Sequence, residues 1–155
     1  ERPDGLQLAM LYEDDTVFCK MDVTTRFEGY RGVVHGGIVF GILDVIIWYA
    51  IFMATKKISM TRKTEVEFFK PVLCGGHYVA KGRFVGVKDR DIFAEAWVED
   101  GKGEVCARTK ALFREAKDLS VASFMENFDF SRTTPRVREY FYSLVEENRD
   151  GSRER

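Results

Sequence analysis

The sequence predicts an α+β domain in which an antiparallel sheet wraps around one long central helix, followed by a C-terminal helical extension. Three observations predict it. One apolar run of helical length lies within residues 33–57, several other segments alternate polar and apolar residues, and the alternation stops after residue 113. A chain of 155 residues can bury one hydrophobic core. We predict one domain, with its body at 1–115 and its extension at 116–155.

The central helix is predicted over residues 37–56, in the run VVHGGIVFGILDVIIWYAIFMATKK. Apolar residues surround this helix on nearly all sides, which is typical of a helix buried in protein. Its length also suits a membrane span. However, Asp44 near the middle would cost about 2.5 to 3.5 kcal/mol in lipid, and both flanking segments have the pattern of strands in a soluble domain. We therefore expect a buried helix.

Alternation with a period of two predicts five strands. They lie at 16–24, 64–72, 78–87, 91–100 and 104–113. Turn residues separate the last four, at 74–76, 88–90 and 100–103, and such short connections favour antiparallel neighbours. Each strand has one apolar face, so the sheet requires the central helix as its cover.

The extension predicts a second helix. Thr134 is its expected N-cap and Pro135 its first residue. An apolar stripe follows, formed by Val137, Tyr140, Phe141, Leu144 and Val145. We expect this helix to pack on the domain or on a partner subunit, and the charged end at 148–155 to be disordered.

Charge and cysteine content limit the possible functions. The chain has 24 Lys and Arg against 25 Asp and Glu, so it lacks the positive field that attracts nucleic acid or anionic membranes. Three widely spaced cysteines form no metal-ligand pattern, and the segment ERPDGLQLAMLYED lacks the apolar core of a signal peptide. We expect a cytoplasmic protein without a metal ion or a bound cofactor.

Two motifs resemble a known family. The segment GYRGVVHGGIVFGILDVIIWYA resembles the signature of hotdog-fold acyl-CoA thioesterases of the phenylacetate-pathway, PaaI-like type, in which G-x-x-H-G-G precedes the central helix and an acid follows nine residues after the His. His35 and Asp44 have this spacing. Thr61, ten residues before Pro71, matches the next strand of the family. The resemblance covers residues 16–113 and implies a hotdog fold.

The resemblance also implies a mechanism. The Gly36 N–H at the start of the helix would polarise the thioester carbonyl, with Gly37 in support, and Asp44 would act as general base or nucleophile. Thr61 would orient the acid or the water. A helix N-terminus suits this chemistry because its unpaired N–H groups and partial positive charge stabilise a developing oxyanion.

Asp44 follows Gly36 by eight residues, or about 12 Å of helix, which is too far for both to act on one thioester. In the family, the glycine of one subunit pairs with the acid of the other. The resemblance therefore implies a homodimer with active sites at the interface, and the family often assembles such dimers into homotetramers.

Several residues are expected to bind the acyl-CoA substrate, and each also has a structural interpretation. His35 is expected mainly to fix the loop before the helix. The acyl pocket is expected to be lined by Val45, Ile46, Trp48, Tyr49 and Phe52, which alternatively belong only to the core. Candidates for the phosphates of coenzyme A are Arg62, Lys63, Lys88 and Arg90, which alternatively are only solvated charges.

Gly29 departs from the family, because many relatives have Asn or Gln six residues before the His. This departure leaves open a non-catalytic acyl-CoA or lipid-binding hotdog protein. Asp44 would then be a buried carboxylate held by hydrogen-bond donors. A hotdog hydratase or dehydratase is a weaker alternative, since neither His35 nor His77 lies in the pattern such sites require.

Overall fold

A computed structural model describes residues 5–117, 119–126 and 134–150, with the side chains of 146–150 left aside. The strands are β1 (Leu11–Glu13), β2 (Thr16–Met21), β3 (Glu28–Tyr30), β4 (Val33–Val34), β5 (Ser59–Phe68), β6 (Tyr78–Lys88), β7 (Asp91–Asp100) and β8 (Val105–Glu115). The helices are α1 (Gly36–Thr55), α2 (Val121–Met125) and α3 (Pro135–Asp150), and a short 3-10 turn spans Thr25–Phe27. The predicted fold class is confirmed.

The main sheet is antiparallel, with strand order β1-β2-β6-β7-β8-β5, and β3 and β4 form a separate two-stranded ribbon. The predicted hairpins β6–β7 and β7–β8 are confirmed. The expectation that the strand now called β5 pairs with β6 is wrong, since β5 pairs with β8 at the sheet edge. The connection at 69–77 binds the ribbon instead: the Val34 N–H donates to the Val72 carbonyl at 2.8 Å, and the Cys74 N–H to the Gly32 carbonyl at 3.0 Å.

Three predicted strand boundaries were wrong, two in β5 and one in β2. β5 begins at Ser59 rather than residue 64 and ends at Phe68 rather than residue 72. The side chains at 60–63 are all exposed. An edge strand without a buried face lacks the alternation that marks a strand in sequence. β2 likewise ends at Met21 rather than residue 24.

α1 lies against the concave face of the sheet. Its fully buried side chains include Ile42, Leu43, Ile46, Ile47 and Ile51. At Gly82 on β6 an added Cβ would overlap the Ile46 side chain, so the glycine permits close approach of helix and strand. Within the described residues α1 alone is long and apolar enough to cross a membrane, a property that the core helices of soluble proteins share. Burial accounts for eight of its twenty residues, whereas Phe40 and Val45 remain exposed.

The extension forms a second apolar cluster on the C-terminal half of α1. This cluster contains Phe52, Ile58, Val121, Met125, Phe141 and Leu144. The Val137 N–H donates to the Thr134 hydroxyl at 3.4 Å, as the predicted cap requires, although the Val137 side chain is exposed. α3 continues to Asp150, into the segment expected to be disordered, and residues 151–155 lie outside the described part.

Candidate active site

His35 fixes the start of α1. Its N–H donates to the Phe27 carbonyl at 2.8 Å, and its Nδ1 accepts a hydrogen bond from the Gly37 N–H at 2.9 Å. His35 is therefore the N-cap of the helix, the structural role predicted for it. The same bond occupies the Gly37 N–H, so the supporting oxyanion contact expected from Gly37 does not fit this arrangement.

Gly36 presents its N–H at the first position of α1. The residue is exposed, and the described part of the chain holds no hydrogen-bond partner for this N–H. A Cβ on Gly36 would lie 3.5 Å from the ring of Phe68 at the end of β5. Sequence reasoning missed Phe68, because the predicted strand continued past it to residue 72. The Gly36 N–H is thus a free donor at the positive end of a helix, beside an aromatic ring.

Asp44 lies half-buried on α1 and faces β5. Its Oδ1 accepts a hydrogen bond from the Thr61 hydroxyl at 2.9 Å. Thr61 is its one hydrogen-bond partner in the described residues. The alternative of a carboxylate enclosed by several backbone donors does not fit this geometry, because an oxygen of the side chain remains available to water or substrate.

The predicted acyl pocket is only partly present. Val45 is 38% exposed and Trp48 and Tyr49 are half-buried, so these three remain accessible to a ligand. Ile46 and Phe52 are wrong as pocket residues because both are fully buried, Ile46 against the sheet and Phe52 under the extension. Phe40, which is 37% exposed one turn before Asp44, was missed.

The predicted phosphate-binding cations lie at the surface. On β5, Arg62 lies 3.6 Å from the Asp91 carboxylate and Lys63 lies 3.0 Å from that of Glu65. Lys88 and Arg90 are exposed at the β6–β7 turn. Exposed ion pairs of this kind are weak, so they do not prevent these cations from contacting an anion.

Two of the three cysteines are too enclosed to act as an alternative nucleophile. Cys19 and Cys106 are buried, and Cys74 is half-buried in a loop. Burial raises the pKa of the Cys19 thiol to about 11 and also raises the pKa of Cys106. Both thiols therefore stay protonated near neutral pH. The described residues also contain no group of three His, Cys, Asp or Glu side chains arranged to hold a metal ion.

Gly29 lies against the cap of α1. A Cβ at this position would be 3.0 Å from both Cα and Cδ2 of His35. The Asn or Gln that many relatives carry there would displace His35 in this arrangement. The glycine seen at this position in the sequence therefore agrees with the structure, in which a side chain at residue 29 would crowd His35.

Comparisons with known proteins agree with this architecture. The family model of the thioesterase superfamily matches residues 31–107. A Saccharolobus solfataricus protein named as a candidate esterase, SSO1253, is 26% identical over 100 residues, which cover 62% of this chain and 66% of that protein. The chain thus spans just under two thirds of this relative, and half of the thioesterase superfamily protein RHA08564.

Two solved structures show the same fold. E. coli PaaI, from the phenylacetic acid degradation operon, aligns with a TM-score of 0.65 at 14% identity, covering 71% of this chain and 80% of PaaI. The protein smu.793 of Streptococcus mutans, solved with acetyl CoA bound, aligns with a TM-score of 0.66 at 19% identity, covering 75% of this chain and 93% of smu.793. The resemblance found in the sequence is thereby confirmed: residues 31–107 match the family model of the thioesterase superfamily, and the chain has the hotdog fold.

Proposed function

We propose that this protein is an acyl-CoA thioesterase that hydrolyses the thioester to a free acid and coenzyme A. The observation that carries the proposal is the Asp44 carboxylate, oriented by Thr61 and open on one side, together with the free N–H of Gly36. The match of residues 31–107 to the thioesterase superfamily supports the reaction class, and a structural neighbour was solved with acetyl CoA bound.

In the proposed reaction the Gly36 N–H donates a hydrogen bond to the thioester carbonyl. Asp44 accepts a proton from water as the water oxygen attacks the carbonyl carbon, or the carboxylate attacks that carbon itself. The Gly36 N–H stabilises the negative charge on the oxygen of the tetrahedral intermediate. Collapse breaks the C–S bond, and the departing thiolate of coenzyme A takes up the proton that Asp44 accepted from water. Where Asp44 itself attacks, the thiolate takes a proton from solvent, and water then hydrolyses the mixed anhydride on Asp44 to release the free acid and restore the carboxylate.

The proposal requires a second copy of the chain. Gly36 and Asp44 lie eight residues apart on one straight helix, about 12 Å at 1.5 Å per residue. The Gly36 N–H of one subunit must therefore act with Asp44 of the other. We expect a homodimer and the assembly of two such dimers into a homotetramer. We also propose a cytoplasmic location, because a reducing compartment suits the free cysteines.

β5 is the expected dimer edge. It spans ten residues and is the last strand of the sheet, so one side of its backbone has no strand partner among the described residues. Natural sheets usually cover or pair such a long edge. Its charges suit pairing with itself: antiparallel pairing centred on Thr64 would place Lys63 opposite Glu65 of the second copy, and Glu65 opposite Lys63.

The test is thiol release from short, long and aromatic acyl-CoA thioesters by the intact protein and by Asp44→Asn. This variant keeps the shape of the side chain and removes its basic oxygen. We expect the intact protein to hydrolyse at least one class, and Asp44→Asn to lose on the order of 100-fold or more in kcat. Asp22→Asn is the matched control, because Asp22 is an exposed aspartate directly after the end of β2. This variant should retain full activity.

A non-catalytic acyl-CoA-binding protein is the second candidate, favoured by the absence of a side chain at Gly29. Binding of acyl-CoA by both the intact protein and Asp44→Asn, without turnover by either, would support this candidate and contradict hydrolysis. Chromatography and circular dichroism must first show that the variant keeps its assembly state and fold.

A further inference from the structure

Asp44 and Trp48 lie side by side on α1. They are four residues apart, so their Cβ atoms are about 5 to 6 Å from each other on one face of the helix. Each is tied to β5: Asp44 through the Thr61 hydroxyl at 2.9 Å, and Trp48 through its indole N–H, which donates to the Ser59 carbonyl at 3.2 Å. Trp48 therefore occupies the seam between α1 and β5 directly beyond the carboxylate.

The extension holds Trp48 in this position. The indole stacks on Phe52 with a centroid distance of 5.2 Å and an interplanar angle of 6°, and on Phe124 of α2 at 5.2 Å and 27°. Phe141 of α3 stacks in turn on Phe52 at 5.4 Å and 13°. With rings packed on it and its N–H bonded, the indole cannot move aside without breaking this cluster.

The other side of Asp44 is open. Gly41 lies one turn before Asp44, and a Cβ added there would meet nothing within 4 Å. Phe40 and Val45 are 37% and 38% exposed beside it. The thioester therefore has room on the Gly41 side of the carboxylate, and an acyl chain that runs from there over Val45 toward the C-terminus of α1 meets the Trp48 ring.

We propose that Trp48, fixed by the C-terminal extension, ends the acyl-binding site and restricts it to short acyl groups. This inference rests on the proposed function, since it concerns the acyl part of the same substrate. One helical turn from Asp44 to Trp48 is about 6 Å, the length of roughly five carbon–carbon bonds, because each bond of about 1.5 Å advances an extended chain by only about 1.25 Å. Trp48 lies within the matched family region 31–107, whereas Phe124 and Phe141, which complete the aromatic cluster around it, lie in the extension beyond that region.

The test measures binding of non-hydrolysable alkyl-CoA thioethers with ethyl, butyl, hexyl, octyl and dodecyl chains, by calorimetry on the full chain. For the intact protein, we expect affinity to rise with each methylene group up to about hexyl and to stop rising beyond it. Trp48→Ala should shift this limit outward by about two methylene groups. The ratio of dodecyl to butyl affinity should then increase about 15-fold, the value for burying two further methylene groups.

Phe141→Ala is the matched control. It removes an aromatic ring from the same cluster on the far side of Phe52, so it loosens the extension without opening the wall beside Asp44. We expect its affinity ratio to rise much less than that of Trp48→Ala, because Phe52, Phe124 and the bond to the Ser59 carbonyl still hold the indole. If Trp48→Ala fails to fold, Trp48→Leu replaces it in the same assay. The chain length at which the affinity of the intact protein stops rising then also tests the proposal by itself.

Three results would overturn the inference: affinity of the intact protein that keeps rising through dodecyl, an unchanged ratio in folded Trp48→Ala, or an equal change in Phe141→Ala. If the protein hydrolyses acyl-CoA but its affinity for the alkyl-CoA thioethers keeps rising with chain length, the proposed function stands and the inference is overturned. If the affinity stops rising at about hexyl but no acyl-CoA is hydrolysed, the chain-length limit stands and the proposed function is overturned.

Discussion

Thr61→Val tests whether the hydroxyl on β5 orients the Asp44 carboxylate. The substitution keeps the branched shape of the side chain and removes the one hydrogen bond that Asp44 accepts within the described residues, at 2.9 Å. Thr61 is exposed on an edge strand, where Val is equally suited. We therefore expect the protein to stay folded, with a free energy of unfolding lower by at most about 1.5 kcal/mol from loss of this bond.

The expected loss of activity follows from the kind of bond removed. A hydrogen bond to a charged group contributes about 1.5 to 3 kcal/mol. Because Thr61 is exposed and Asp44 only half-buried, water replaces part of the contact, and we take the lower end of that range. Since 1.36 kcal/mol corresponds to a tenfold change in rate, Thr61→Val should lower kcat about tenfold.

The assay is thiol release from the best acyl-CoA substrate, followed for the intact protein, Thr61→Val, Thr61→Ser and Asp44→Asn. Thr61→Ser retains a hydroxyl and should keep most of the activity. In the Asp44→Asn background, Thr61→Val should have little further effect, because the carboxylate that it orients is gone. Full kcat in Thr61→Val, or an equal loss in both backgrounds, would refute the reasoning.

Three further predictions concern the edge strand, the helix cap and the thiols. Lys63→Glu should raise the dimer dissociation constant about fivefold or more in sedimentation, because it places like charges opposite each other at two symmetry-related sites. Addition of Glu65→Lys should restore the dimer, and an unchanged dissociation constant in Lys63→Glu would exclude the proposed pairing. Gly29→Ala should cost about 1 to 3 kcal/mol in denaturant unfolding, because its Cβ crowds His35; unaltered stability would contradict the contact. Among the three cysteines, Cys74 alone should react rapidly with a thiol reagent in the folded protein, and all three in urea; rapid reaction of a second thiol would show that the buried cysteines are accessible.

Sequence reasoning succeeded where local pattern and burial agree. The all-round apolar run predicted α1, and the half-buried strands β6 and β7 were placed within a residue of their observed ends. Reasoning failed at β5, where exposure removes the alternation, and at the connection 69–77, whose turn residues suggested a hairpin. There the backbone bonds to the ribbon β3–β4, a long-range pairing that no local signal encodes.

The sequence by itself determined the chemical parts of the candidate site. The spacing of His35 and Asp44 on one helix, and the distance of about 12 Å between Gly36 and Asp44, follow from helix geometry alone. Only the tertiary structure decided which groups meet: the Thr61 hydroxyl on Asp44, the Gly37 N–H taken by His35, and the extension closed over Trp48. A residue type and a helical period are local properties, whereas hydrogen bonds and ring contacts between distant segments depend on how the sheet and the extension fold onto α1.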